Sequence, residues 1–233
     1  MCKIFLSPVQ PAIRNLVAVY PLDATSGARD LSPTKNLPGK LSSVNIAPGP
    51  DGKPDTALRF SGSPNSYIEF PNNGRLDTRR SITCIAWVYN EGRGGPVFQY
   101  DPRGVGVGLR IIGLDRIEAL IVSRNRRKKI PVVTRKRFFK PRTWTYVGFS
   151  YDFLSGIVTL YVNARPVLRR IIGRVQLLTN KPARAGSTRR GKRFFRGRLS
   201  CIQVYSRALT RREIIAVRKR CFKGGMIGET EIN

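Results

Sequence analysis

The sequence predicts an all-β sandwich or barrel closed by one short C-terminal helix, and three observations carry that reading. Period-two runs rich in β-branched and aromatic residues recur along most of the 233 residues. Clusters of Gly, Pro and Asn separate them, and only one segment has helical spacing. With 41% hydrophobic and 24% charged residues, a chain of this length can bury one sizeable core.

The first candidate strands are LVAVY (16–20), ALRFSG (57–62), SYIEF (66–70) and SITCIAWVY (81–89). Between them, Asp23 to Asp55 is rich in Ser, Pro, Gly and Asn, and reads as long loops around one further strand, LSSVNI (41–46). VGVGLRII (105–112), RIEALIVS (116–123) and IPVVT (130–134) continue the series. TWTYVGFSYD (143–152), GIVTLYVN (156–163) and GRLSCIQVYS (197–206) complete it. NEGRGGP (90–96), GLD (113–115) and FLSG (153–156) mark turns. The helix is ALTRREIIAVRKRC: Thr210 with Glu213 three residues on is a reciprocal capping box. Ile214, Val217 and Cys221 share one face of it. GVGVG (104–108) lacks the spacing of a phosphate-cradling loop, and no helix pattern follows it.

Charge is the unusual feature. Lys and Arg total 43 against 14 Asp and Glu, a formal net charge of +29 without a single histidine. Such a balance attracts polyanions through its long-range potential. Screening over about 8 Å at physiological salt means that only clustered charges act together. Residues 124–142 hold ten cations and residues 165–198 hold twelve, neither stretch containing an acid. The segments RKRFFKPR (135–142) and GKRFFRGR (191–198) echo each other. Strand alternation predicts that one phenylalanine of each pair, Phe138 or Phe139 and Phe194 or Phe195, enters the core.

Without histidine, Ser-His-Asp and Cys-His nucleophilic schemes are excluded, and a zinc site lacks its usual ligands and any C-x-x-C pair. The apolar run in MCKIFLSPVQ is too short for a secretion leader, and no apolar stretch reaches the length of a membrane-spanning helix. The four cysteines, Cys2, Cys84, Cys201 and Cys221, allow three two-bridge connectivities, which composition alone leaves open.

VAVYPLDATSGARDLS (17–32), ALRFSGSPNSYIEFPN (57–72), SITCIAWVY, TWTYVGFSYDFLSGIVTLYVNARPV (143–167) and FRGRLSCIQVYSRALTRREIIAVRKRC (195–221) together resemble a laminin-G-like or pentraxin-like module. The resemblance covers residues 16–221 and implies a concanavalin A-like jelly roll of two antiparallel sheets. The expected organisation is an N-terminal extension (1–14), one domain (15–222) and a tail (223–233). By the family pattern Cys201 pairs with Cys221, stapling the helix to the sheet and pointing to an oxidising, extracellular setting. A Cys2–Cys84 bridge is the less favoured further pairing.

Glycosidases of this fold carry an E-x-D-x-E strand that is absent here; Asp115 and Glu118 are the nearest approach. The resemblance also implies calcium at the sandwich rim, for which Asp30, Asp51, Asp55 and Asn72, with Asn65 and Asn73, are the weak candidates. The same residue types also stabilise turns. No other cofactor is expected.

The reading is therefore a secreted, lectin-like adhesion module rather than an enzyme, binding sulfated or acidic polysaccharide such as heparin. The candidate contacts are Arg124, Arg126, Arg127, Lys128, Lys129, Arg135, Lys136, Arg137, Arg189, Arg190, Lys192 and Arg193. Arginine forks favour bidentate sulfate and carboxylate. The alternatives are a nucleic-acid or general polyanion binder, and a protein-interaction module with no glycan ligand. Nothing predicts membrane insertion.

Overall fold

The computed structural model describes residues 13–92, 94–125, 128–135, 137–138 and 140–222. They form a jelly-roll sandwich of two antiparallel sheets. One sheet runs, in spatial order, β13 (Arg165–Ile171), β12 (Ile157–Val162), β11 (Thr145–Asp152), β6 (Ile82–Asn90), β15 (Arg196–Tyr205), β4 (Ala57–Ser61) and β3 (Val44–Ala47). An eighth strand, β1 (Leu16–Tyr20), also pairs with β15. The other sheet runs β10 (Lys129–Val133), β9 (Arg116–Val122), β8 (Gly108–Ile112), β7 (Gly94–Tyr100), β14 (Ala183–Ala185), β5 (Tyr67–Phe70) and β2 (Lys40–Ser42). Strands are numbered in chain order.

The core lies between the sheets. Val147, Phe149 and Tyr151 of β11 share one cluster of buried side chains with Phe98 and Tyr100 of β7, Leu109 and Ile111 of β8, and Ile117, Ala119 and Ile121 of β9. Phe70 bridges Tyr20 and Phe98 with ring centroids 4.3 and 5.3 Å away. Burying each such side chain contributes about 1.5–3 kcal/mol.

A second cluster lies on the outer face of the eight-stranded sheet, where Trp87, Tyr146, Tyr161 and Tyr205 meet Leu209, Ile214 and Val217. The last two belong to α1 (Arg211–Val217), whose capping box joins Thr210 and Glu213 as expected. β6 is thus covered on both sides, which explains why SITCIAWVY is apolar almost throughout instead of alternating. The predicted Cys201–Cys221 disulfide is present, with Cα atoms 5.8 Å apart, and ties the chain after α1 to the middle of β15. Cys84 is a free thiol in the main core, and burial pushes its pKa up. Cys2 lies outside the described residues.

LSSVNI is two strands rather than one. At Ser43 the backbone turns through φ 45°, so β2 joins one sheet and β3 the other. Three strands had no sequence counterpart: β7, β13 and β14. Two sheet edges are basic. β13 exposes Arg165, Arg169 and Arg170, and β10 exposes Lys129 and Pro131, which discourages edge-to-edge pairing. Arg170 Nη1 donates to the Pro131 carbonyl at 3.2 Å, so the two edges meet on one side of the sandwich.

Candidate functional site

Alternation determines what the seven-stranded sheet shows on its outer face. Phe98 and Tyr100 enter the core, so Gln99 points away from it; Leu109 and Ile111 do the same for Arg110. Gln99 is nevertheless buried, because two loops fold over the sheet here: 101–107 after β7 and 186–195 after β14.

Backbone bonds anchor the first loop beside β14, join the two loops, and close the second on itself. Asp101 N donates to the Pro182 carbonyl at 2.9 Å, Arg189 N to Pro102 at 2.6 Å, and Phe195 N to Gly186 at 2.8 Å. Thr188 is wedged between two glycines. A Cβ on Gly104 would come within 2.9 Å of Thr188 Oγ1, and one on Gly191 within 2.3 Å. Gly108 likewise leaves room for the Gln99 side chain, which donates to the Gly106 carbonyl.

The loops and sheet enclose a cavity of about 380 Å³ lined by Gln99, Thr188 and six cations: Arg103, Arg110, Lys129, Arg190, Lys192 and Arg193. Among the described residues no carboxylate is in this lining. Two acids stand behind it, each facing a guanidinium. Glu118 pairs with Arg110 Nη1 at 3.1 Å, and Asp101 pairs with Arg103 through Nη2 at 2.9 Å and Nε at 3.1 Å. The Arg103 hydrogen bonds hold the Asp101 carboxyl below its ordinary pKa, and the Asp101 carboxylate raises that of Arg103 in return. Among the described residues Arg190, Lys192 and Arg193 have no ion pair, leaving their charge available to an incoming anion.

Of the twelve sequence-predicted contacts, the structure brings Lys129, Arg190, Lys192 and Arg193 together here. Arg124 is elsewhere: it pairs with Asp77 and donates from Nε to the Leu177 carbonyl at 3.0 Å. Arg137 pairs with Asp115 at 3.2 Å while 88% exposed. Arg189 leans towards Glu69 at 3.5 Å, and Glu69 is already held by buried Arg184 at 2.6 Å. Lys128 and Arg135 are exposed and do not line the cavity. Arg126, Arg127 and Lys136 lie outside the described residues. Arg103, Arg110 and Gln99 were missed; the alternation of GLRII was the signal that puts Arg110 on the outer face.

In GKRFFRGR, Phe195 is the core member and Phe194 is half-buried. Phe138 packs partly against the core, while Phe139 lies outside the described residues. The Asp115 and Glu118 carboxyls each face an arginine.

Three of the calcium candidates, Asp30, Asp51 and Asn72, are engaged in hydrogen bonds within the chain. The Asp30 carboxylate accepts from Val19 N, Ser32 N and Oγ, and Asn36 N and Nδ2, all at 2.6–2.9 Å. Asp51 accepts from Lys53 N and Thr56 Oγ1. Asn72 caps a turn through Gly74 N and donates to Thr179 and Lys181 carbonyls. Among the described residues no three acids or cysteines converge on a point. Asp51 and Asn72 thus serve their own turns, and Asp30 ties the loop after β1 to that strand.

Solved structures share the fold. The binding domain of Paraclostridial Mosquitocidal Protein 1 superposes with a TM-score of 0.68 at 20% identity, covering 90% of this chain and 53% of that one. The Botulinum Neurotoxin serotype G binding domain gives 0.68 at 14% identity, covering 87% and 50%. The Botulinum Neurotoxin DC binding domain in complex with SialylT gives 0.67 at 9% identity, covering 89% and 52%. The chain thus spans about half the length of these structures. No match was found among curated proteins. Residues 61–215 match the laminin G-type profile of the concanavalin A-like lectin/glucanases superfamily, and the chain belongs to that family.

Proposed function

We propose that this domain, spanning residues 15–222, is an extracellular carbohydrate-binding module for anionic glycans, sulfated or carboxylated, that it serves adhesion rather than catalysis, and that its seat is the basic cavity on the seven-stranded sheet. One observation carries the reading: six cations line a cavity of about 380 Å³ that, among the described residues, has no carboxylate in its lining. That volume falls within the range of small-ligand sites. Arginine forks bind sulfate or carboxylate through two parallel hydrogen bonds, and four of the six cations are arginines. Gln99 and Thr188 add neutral groups suited to sugar hydroxyls.

The disulfide supports an oxidising compartment. The lectin-like family and the neighbouring toxin binding domains, one in complex with SialylT and one with rat synaptotagmin II, support binding to glycan or protein. No helix among the described residues is long and apolar enough to cross a membrane.

The test is retention on heparin, dextran sulfate and single-stranded DNA columns under a salt gradient, with Lys129→Glu and Arg190→Glu variants. Selective heparin retention, lost in the variants, is the expected result. Equal elution from all three matrices, insensitive to those substitutions, refutes it and leaves unspecific cation exchange. Preferential DNA retention establishes the nucleic-acid alternative instead.

A further inference from the structure

A second cavity, of about 740 Å³, opens beside the first where the β4, β6–β7 and β8–β9 chain reversals meet. Among the described residues its basic lining is Arg116, Lys192, Arg193 and Arg196, again without a carboxylate, and the half-buried Phe194 adds an aromatic ring. Lys192 and Arg193 line both cavities, so the two adjoin across the segment 192–193. Arg196 is held in place by glycine. A Cβ on Gly62 would stand 2.8 Å, and one on Gly92 2.9 Å, from Arg196 Cβ. The stem of Arg196 therefore lies flat between two bare backbones. Among the described residues Arg116 and Arg196 have no ion pair.

We infer that the two cavities form one track for a linear sulfated polysaccharide: the first takes one end of the bound stretch, Lys192 and Arg193 hold its middle, and Arg116, Arg196 and the Phe194 ring take the other end. This rests on the anionic-glycan reading and adds that the ligand is a polymer and that affinity grows with chain length. The ring supplies an apolar surface for a sugar face between charged groups. A single half-buried phenylalanine is a poor stacking platform for successive bases, which favours polysaccharide over single-stranded nucleic acid.

The test is calorimetric titration of the whole chain with a heparin disaccharide and a heparin octasaccharide, using wild type, Arg116→Ser/Arg196→Ser and Lys129→Ser. Binding of the octasaccharide at least about tenfold tighter than the disaccharide is expected. The Arg116→Ser/Arg196→Ser variant should lose about tenfold for the octasaccharide and leave the disaccharide unchanged. Lys129→Ser should weaken both. Disaccharide and octasaccharide binding with equal affinity, or a double variant indistinguishable from wild type, overturns the track while leaving the single-cavity reading intact. Absence of binding to either oligosaccharide removes both readings. Phe194→Tyr, which keeps the ring, should retain length dependence; if the arginine double variant unfolds, Phe194→Ser against Phe194→Tyr asks the same question.

Discussion

Arg207 grips Glu213 with both ends of its guanidinium, Nη1 reaching Oε2 at 3.0 Å and Nη2 meeting Oε1. The same carboxylate accepts from Thr210 N at 2.8 Å, closing the α1 capping box. Arg207 lies in the turn after β15 and Glu213 in the first turn of the helix, so the pair fixes the angle at which α1 leaves the sheet.

The pair predicts an acid-sensitive helix. Arg207 hydrogen bonding, with help from Thr210, lowers the Glu213 pKa from 4.5 to about 2. A depressed folded-state pKa gives stability that is present above the unfolded value and lost as pH falls from 4.5 towards 2. Both side chains keep more than a quarter of their exposure (30% and 27%), so screening limits the contribution to about 1 kcal/mol. Urea midpoints measured from pH 6 to pH 2 should fall more steeply for wild type than for Glu213→Gln. Parallel curves would remove the pair from the stability of the fold.

The disulfide gives a second prediction. Cys201 and Cys221 are 20 residues apart in sequence, and closing a loop of that length contributes about 3 kcal/mol. The bridge also holds α1 where Trp87 Nε1 donates to the Arg218 carbonyl and Gln203 Nε2 to that of Val217, both at 3.1 Å. Cys221→Ser should lower unfolding free energy by about that amount and speed amide exchange in 211–217. Heparin retention should persist, because the cavity lies on the other sheet. Exchange at α1 unchanged in the variant would show that packing alone secures the helix.

Much of this architecture was legible locally. Thr210 and Glu213 announce the helix, and the strand runs follow from β-branched alternation. β7 was hidden because Gly94, Gly95 and Pro96 read as a turn. There the backbone adopts φ 84° and 155°, since a Cβ would lie 2.3 Å from the Ile111 carbonyl oxygen or 2.4 Å from Phe195 N. Only the fold brings those neighbours in, so no local signal could announce the strand. β13 shows no apolar alternation because it is an exposed edge, formed by pairing with β12 across Asn163 and Ala164 at φ 50° and 62°. Of the site, the dense cluster at 189–193 was visible as charge. Arg103 and Arg110 stand singly in sequence, and their place depends on strand facing and loop closure.

Gly191 offers a test of how the cavity is built. Its bare backbone lets Thr188 Oγ1 sit where a Cβ would approach to 2.3 Å, and Gly104 crowds the same oxygen from the other loop. Gly191→Val should push the 189–193 segment off the sheet, lowering heparin affinity about tenfold for a stability loss near 1 kcal/mol. Gly27→Ala is a fitting control: its open surroundings confine the effect to backbone strain at φ 57°, and it does not line the cavity. An affinity loss no larger in Gly191→Val than in Gly27→Ala would deny the loop its part in binding.

Arg124 and Arg190 both belong to dense basic runs, yet the structure uses them in opposite ways. Arg124 spends its guanidinium on Asp77 and the Leu177 carbonyl, and Asp77 also accepts from Thr179 Oγ1 at 2.6 Å. Removing Arg124 strips a partly buried carboxylate of its counter-charge, at a cost of about 2 kcal/mol. Arg190 is exposed and without an ion pair among the described residues, so removing it costs the fold almost nothing while subtracting a charge from the cavity. Arg124→Ser should therefore lower the unfolding midpoint with heparin elution unchanged, and Arg190→Ser should lower the eluting salt concentration with the midpoint unchanged. If the two variants shift elution equally, affinity follows total charge and the cavity has no privileged part in it.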